Sequence, residues 1–216
     1  PGLSAPPAPP QGGARSRLDA FVGLLRPRSR QAVLVAVVVI GAGCGLVAVA
    51  FHGAIELLRA ILIGSALKHP PGLLRGALLV AAPAGAGALL AWLVPRFAPR
   101  CGGGLALVRR AFVEDPAELL DARTLVGTYG ANALSLGAGT PLGPEGPTVV
   151  LTSGFSAMAA RWFGLPGRFV RGMVPVGTAA GIAAIFNAPI TGVVFALEEI
   201  MGAASRGVLG GSLLAA

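Results

Sequence analysis

The stretch GAGTPLGPEGP, residues 137–147, decides the fold because it breaks the chain inside apolar sequence. Seven of its eleven residues are glycine or proline, the two residue types that disfavour a helix interior most strongly. The segments 123–136 before it and 147–163 after it have the apolar composition of helices. We therefore expect one helix to end near Leu136 and another to begin at Pro147.

The charged residue of this stretch is Glu145. A proline at the first helical position costs nothing, because its missing N–H would have no partner there. The free N–H groups of a helix N-terminus form a site for anions, and Glu145 places a carboxylate at that site. An ionised carboxylate occupies the site and a protonated one leaves it, which is the behaviour of a proton-linked gate. A carboxylate that only complements the dipole of an exposed helix end fits the same five residues, although ionisable groups in apolar sequence usually serve a function.

A second stretch, GIAAIFNAPITGVVFALEE at residues 181–199, repeats this design. Asn187 is expected to cap a helix and Pro189 to begin it. The apolar sequence then ends in Glu198 and Glu199, whose side chains point about 100° apart on a helix. One carboxylate is therefore expected to face water and the other the protein interior. An ordinary acidic helix end near water gives the same sequence.

Composition indicates a membrane protein. Of 216 residues, 54% are hydrophobic and 12% are charged, about half the charged share of a soluble domain. Uncharged runs at 31–51, 76–95 and 172–197 reach the length of about 20 residues that a helix needs to span a bilayer, and Asn187-Ala188-Pro189 interrupts the third. A net charge of +8 permits nucleic-acid binding, but the basic residues flank the apolar runs instead of forming a patch. Those before the first run, which place the N-terminus in the cytoplasm, are Arg15, Arg17, Arg26, Arg28 and Arg30.

The rest of the chain predicts an all-α polytopic membrane protein with short, broken helices. Residues 1–17 are expected to form a disordered, basic, Pro- and Gly-rich tail, and residues 18–216 a single membrane domain. The expected helices cover 18–27, about 30–64, 72–94, 105–112, 123–136, 147–163, 168–186 and 189–201, with Pro95 and the segment 99–104 as breaks. Breaks inside apolar sequence imply irregular backbone at membrane depth, which is tolerated where it lines a cavity or a site.

The two Gly/Pro-containing stretches resemble motifs of the chloride channel/transporter (CLC) family. GTPLGPEGP, which ends at Pro147, is similar to the family motif G-[KR]-E-G-P. AAGIAAIFNAPITGVVFALEE, which contains Phe186, Asn187 and Pro189, is similar to the family segment found at this separation after it. The resemblance covers about residues 125–200. It implies that the chain is the first half of an inverted-repeat fold, with the second half absent, in a homodimer that has one pore per subunit.

The resemblance also implies roles for single residues. Glu145 matches the gating glutamate, which competes with chloride and carries protons. Glu199 matches the inner proton-transfer glutamate of exchangers, which channels typically lack. The backbone at Gly143 and Gly146 matches the lining of the anion site, and Gly103 is the nearest counterpart of an anion-binding serine.

The implied function is H⁺/Cl⁻ exchange by an integral membrane protein of a bacterial inner (plasma) membrane. Chloride, protons and the lipid bilayer are the expected partners, and no enzymatic reaction, metal or cofactor is expected. The sequence departs from the family pattern in two places: CGGGLA at residues 101–106 replaces G-S-G-I-P, and Pro144 replaces a basic residue. The missing serine hydroxyl leaves open a transporter of fluoride or another anion. A truncated or degenerate homologue with a structural or partner-binding role is the remaining alternative.

Overall fold

The computed structural model describes residues 27–97, 100 and 102–202. The predicted tail at 1–17 and nearly all of the helix predicted for 18–27 lie outside these residues, so both stay predictions. The chain divides into two compact units, residues 1–36 and 37–216. The first unit is described only in the opening turns of a helix.

The described residues form helices and connecting turns, and they contain no strand. An all-α fold, as the sequence predicts, is therefore confirmed. The last α-helix, α8, continues directly into a π-helical turn. In chain order the elements are α1 Pro27–Leu67, α2 Leu73–Phe97, α3 Gly104–Val113, α4 Pro116–Leu119, α5 Ala122–Gly137, α6 Glu145–Trp162, α7 Gly167–Phe186, α8 Pro189–Phe195 and the π-helical turn Ala196–Met201.

In the described part of the chain, three helical segments are long and apolar enough to cross a membrane: Leu34–Leu67, Leu73–Phe97 and Gly167–Phe186. They correspond to the predicted apolar runs, and the third ends at Phe186, before the predicted interruption. Helices α3, α4 and α8 have 10, 4 and 7 residues. At 1.5 Å per residue none of them reaches the roughly 30 Å of the hydrocarbon core, which confirms the prediction of short, broken helices.

The end of α2 differs from the prediction. Pro95 was expected to break the chain, but α2 continues through it to Phe97. A proline in the last turn removes only one backbone hydrogen bond. The carbonyls at this end are satisfied from α5, because Arg123 donates through Nε to the Phe97 carbonyl at 2.6 Å and through Nη2 to the Arg96 carbonyl at 3.3 Å.

The segment between α3 and α5, which lies between the helices predicted for 105–112 and 123–136, contains the helix α4. Asp115 caps this helix by accepting from the Ala117 N–H at 2.9 Å, and Asp121 caps α5 by accepting from the Thr124 N–H at 3.0 Å. The hydrogen bonds that Asp121 accepts from Thr124 lower the pKa of its carboxyl. Sequence reasoning missed α4 because the segment contains several acidic residues, although Leu119 at the end of α4 and Leu120 directly after it are buried.

The core of the second unit is the contact between α6 and α7, which depends on small and hydroxylated residues. A Cβ at Gly177 or Gly181 would collide with α6, at Ser156 and Thr152 respectively. Between the helices the Ser153 and Thr178 hydroxyls lie 2.8 Å apart, and Ser156 donates to a carbonyl of α7 at 2.7 Å. Close approach through small residues and hydrogen bonds between helices is how membrane helices associate without a hydrophobic driving force.

Helix α1 packs on α5 and α6 through residues beyond position 36. Gly43 lies against Phe155, and Gly137 lies against Leu58 and the backbone of α1. Tyr129 donates to the Ala50 carbonyl at 3.0 Å. The opposite faces of α1 and α2 carry exposed apolar side chains, and among the residues of α2 only Ala86 is buried. These faces suit contact with lipid or with further protein.

Candidate functional site

The first part of the site is the N-terminal turn of α6, which begins at Glu145 with Pro144 as the N-cap. The sequence placed the helix start at Pro147, two residues too late, because Gly146 and Glu145 do not prevent helical geometry. Pro147 is therefore the third helical residue, where an N–H would also lack a partner inside the helix. No side chain caps this end, and the N–H groups of Glu145 and Gly146 have no carbonyl of the preceding turn to bind.

The Glu145 side chain is exposed and folds back over Gly143. A Cβ added at Gly143 would collide with the Glu145 carboxylate, so glycine at position 143 makes room for this side-chain position. Within the described residues, no side chain forms an ion pair or hydrogen bond with that carboxylate. Glu145 is thus held by no side-chain partner, and it lies at the positive end of the α6 dipole.

Gly146 lies next to Glu145 and is half-buried. A Cβ at Gly146 would meet no atom within 4 Å, so packing within the described chain does not require glycine at this position. The missing side chain leaves the backbone of the first turn open to approach.

Gly103, at the start of α3, was predicted to stand at the position of an anion-binding serine. A Cβ at Gly103 would lie 2.6 Å from the Leu107 Cβ, closer than real Cβ contacts. Because the Leu107 Cβ is attached directly to the backbone, α3 itself would have to shift to admit a serine. The local packing is therefore adapted to glycine.

The second part of the site is the turn between α7 and α8. Helix α7 ends at Phe186, and Asn187 adopts the left-handed conformation with φ 50° and ψ 39°. Asn187 was predicted to cap the following helix, and this is wrong: it ends α7, while Ala188 is the N-cap of α8 and has no side-chain hydrogen bond. Asparagine tolerates this backbone region better than most residues. Pro189 is the first residue of α8, as predicted.

A π-helical turn at Ala196–Met201 carries Glu198 and Glu199. Its wider winding is seen at its end, where the Gly202 N–H donates to the Leu197 carbonyl five residues earlier. Glu198 is exposed, and Glu199 is half-buried. The two carboxylates therefore differ in exposure. Such turns occur frequently at functional sites.

Glu199 has a partner that sequence reasoning missed. Arg109 of α3 donates through Nε to the Glu199 backbone carbonyl at 2.9 Å, and its Nη2 forms an ion pair and hydrogen bond with Glu199 Oε2. The signal was present in helical spacing. Leu105 and Phe112, which lie four residues before and three after Arg109, both pack against the core, so Arg109 shares their inward face.

The predicted residues thus fall into two groups that the structure does not join by a side-chain contact. Gly143, Glu145, Gly146 and Pro147 form one turn, and Phe186, Asn187 and Pro189 position the helix that leads to Glu199. Helix α3, which starts next to Gly103, packs against α6, α7 and the π-helical turn. It therefore packs against the helix that begins at Glu145 and against the turn that carries Glu199.

Two comparisons with known proteins agree with this architecture. Residues 86–216, more than half of the chain, match the family model described as voltage gated chloride channel. The chain is also similar to the crystal structure of a slow cyanobacterial Cl⁻/H⁺ antiporter, with 31% sequence identity and a TM-score of 0.65. That match covers 82% of this chain and 41% of the antiporter chain, so this chain spans about two-fifths of the length of that relative.

The family match lies on the described helices α3 to α8 and the π-helical turn, and it includes the turns of both Glu145 and Glu199. The helices that are long and apolar enough to cross a bilayer agree with it. This chain is therefore an integral membrane protein of the voltage-gated chloride channel family.

Proposed function

We propose that the protein to which this chain belongs transports anions across a membrane and exchanges chloride for protons. The observation that carries the proposal is the Glu145 turn. Its carboxylate is bound by no side chain of the described residues, and it lies at a helix start whose first N–H groups have no partner in the helix. These backbone donors attract an anion, and Glu145 is the anion that the chain itself supplies. A small external anion is the natural competitor for the same position.

In this proposal Glu145 works as the gate. Ionised, it blocks the backbone donors, and protonated, it loses its attraction to them and moves away, which admits chloride. Backbone groups at Gly103, Gly143 and Gly146 line the anion path. Glu199 exchanges protons with the aqueous side nearest to it, so that a proton reaches Glu145 by a route separate from that of the anion.

Further parts of the proposal concern the whole protein. It is a homodimer in a bacterial inner membrane, residues 18–216 form the first half of an inverted-repeat domain, and the N-terminus lies in the cytoplasm. The antiporter with which the chain aligns is more than twice as long as the aligned part, and an inverted-repeat transporter builds its site at the interface of two halves. The transport activity is therefore proposed for the complete reading frame.

The test is chloride-driven proton movement in liposomes that contain the complete reading frame, with protein-free liposomes as the control. An imposed chloride gradient is expected to drive protons in the opposite direction, and reversing the gradient is expected to reverse the proton flux. Chloride flux without proton movement would contradict exchange while supporting anion transport. Absence of both fluxes would contradict the proposal.

A different anion preference is the second candidate, and the lack of room for a side chain at Gly103, next to Leu107, favours it. A serine hydroxyl cannot enter at position 103 without a shift of α3, so this part of the path offers only backbone donors. The same liposomes, loaded in turn with chloride and fluoride at equal concentration, measure the preference. Fluoride flux well above chloride flux would support this candidate over chloride exchange.

A further inference from the structure

The contact between Arg109 and Glu199 joins two elements that lie 90 residues apart in sequence. One guanidinium binds both the side chain and the backbone of the same glutamate. An arginine can do this because its donors form a rigid planar fork. The contact therefore fixes the carboxylate of Glu199 and also the path of the chain that carries it.

The backbone half of this contact is made by the π-helical turn. Glu199 is the fourth of its six residues, Ala196–Met201. Arg109 satisfies the Glu199 carbonyl from outside the helix. Loss of the Arg109 side chain would leave a carbonyl and a carboxylate of the same residue without this donor.

Among the described residues, Arg109 is the one ion-pair partner of Glu199. On α3 the neighbouring Arg110 is exposed and pairs with Glu114 at 3.2 Å. On α7 the basic residues Arg168 and Arg171 are exposed near its first turn, and α8 carries no charged residue. Glu198, on the same turn as Glu199, is exposed.

The pair is only partly shielded from water, with 38% of the Arg109 side chain and 34% of the Glu199 side chain exposed. At such exposure an ion pair contributes little to folding stability. Its geometric effect is larger, since two bonds hold the carboxylate in one orientation while one edge remains open to water. That is a suitable arrangement for a group that takes up protons from water and passes them inward.

We propose that Arg109 is a positioning residue that holds Glu199 through its carboxylate and its carbonyl and thereby sets how many protons accompany each anion. The inference rests on the proposed function. It assigns Arg109 to the proton path alone, so a change at Arg109 acts on proton flux much more than on chloride flux.

The test measures both fluxes for Arg109→Gln in liposomes that contain the complete reading frame. Proton flux per chloride is expected to fall by about threefold to tenfold, because poor positioning of a reacting group costs up to ~100-fold. Chloride flux is expected to stay within about twofold of the unaltered protein, since misplacing a group outside the anion path leaves that path intact. Arg109→Lys keeps the charge without the fork, so its proton-to-chloride ratio is expected to lie between the two.

Arg110→Gln is the matched control, because it removes the adjacent arginine and an exposed pair with Glu114. Its proton-to-chloride ratio is expected to equal that of the unaltered protein. In a Glu199→Gln background, adding Arg109→Gln is expected to cause no further loss of proton flux. Additive losses would mean that Arg109 acts on some other group, which overturns the inference.

Failure of the inference differs from failure of the proposed function. Coupled proton flux in the unaltered protein, with an unchanged ratio in Arg109→Gln, would overturn the role of Arg109 alone. Absent chloride flux in Arg109→Gln would indicate that this variant does not fold, and Arg109→Lys then decides. An unchanged proton-to-chloride ratio in Arg109→Lys overturns the role of the contact to the Glu199 carboxylate and carbonyl. A reduced ratio supports it. No proton flux in the unaltered protein would overturn both proposals.

Discussion

Glu145 lies at the start of a helix and Glu199 lies in a π-helical turn, and the partners of the two carboxylates differ. Glu145 is the first residue of α6, at the positive end of the helix dipole, and has no side-chain partner among the described residues. Glu199 lies in the π-helical turn after α8, and Arg109 binds it twice. A carboxylate at a helix start is favoured by the backbone N–H groups, whereas the Glu199 carboxylate is held by a guanidinium.

The difference in partners explains why the Glu145 side chain is free and the Glu199 side chain is held. Backbone N–H groups attract a carboxylate without fixing its orientation, so Glu145 can leave and return without breaking an ion pair. The guanidinium of Arg109 restricts Glu199 to one orientation. In the proposed mechanism the first glutamate moves and the second stays in place.

The largest effect is expected from Glu145→Gln, which keeps the size of the side chain and removes its charge and its proton exchange. Proton flux per chloride should fall by about 100-fold or more, within the range that proton-transfer groups contribute. Chloride flux should persist, because a neutral side chain no longer competes for the backbone donors. Both fluxes are measured in liposomes, and proton flux that survives the change would show that Glu145 is not the gate.

A smaller effect is expected when Glu199→Gln and Glu198→Gln are compared. Removing the carboxylate of Glu199 should lower proton flux per chloride by about tenfold, with chloride flux kept, because its partly exposed position lets water deliver some protons directly. Glu198 is exposed and adjacent in sequence, so its variant should match the unaltered protein. Equal losses in both variants would mean that general acidity at this helix end matters, and not the position held by Arg109.

The smallest effect is expected from Gly143→Ala, which tests the free side chain of Glu145. The added methyl group would collide with the Glu145 carboxylate, the flexible end of a long side chain, so the carboxylate should move while α6 keeps its place. We expect proton-to-chloride ratios to change by about threefold, less than the ~100-fold that misplacing a group can cost, with the thermal unfolding temperature nearly unchanged. Gly130→Ala, in open space on α5, is the matched control, and a large drop in unfolding temperature for Gly143→Ala alone would show that the glycine is needed for folding instead.

Sequence reasoning located the helices and their breaks because glycine and proline mark the ends directly. The interruption at residues 187–189 and the start of α8 at Pro189 are examples in which local chemistry suffices, although the role of Asn187 within that interruption was wrong. Sequence reasoning failed where contacts between distant segments determine the extent of a helix. The end of α2 beyond Pro95 depends on Arg123 of α5, and α4 depends on the burial of Leu119 and of its C-cap residue Leu120.

The candidate site divides in the same way. The chemistry of the Glu145 turn is contained in a few consecutive residues, so the sequence alone indicated it. The Arg109–Glu199 contact joins distant segments, and its formation depends on how α3 packs against the π-helical turn. Helical spacing puts Arg109 on the same face as Leu105 and Phe112, but it does not identify the partner of Arg109.

Because of the π-helical turn, the number of residues in the segment 189–201 matters when related sequences are aligned. Such a turn behaves as a one-residue insertion into an α-helix, and each residue added or removed rotates all later side chains of the helix by about 100°. With α8 fixed at Pro189, one residue fewer before Glu198 would bring Ile200 opposite Arg109, and one more would bring Glu198 there. In an alignment, a single gap in this segment therefore changes which residue lies opposite Arg109, even where every other aligned residue is identical.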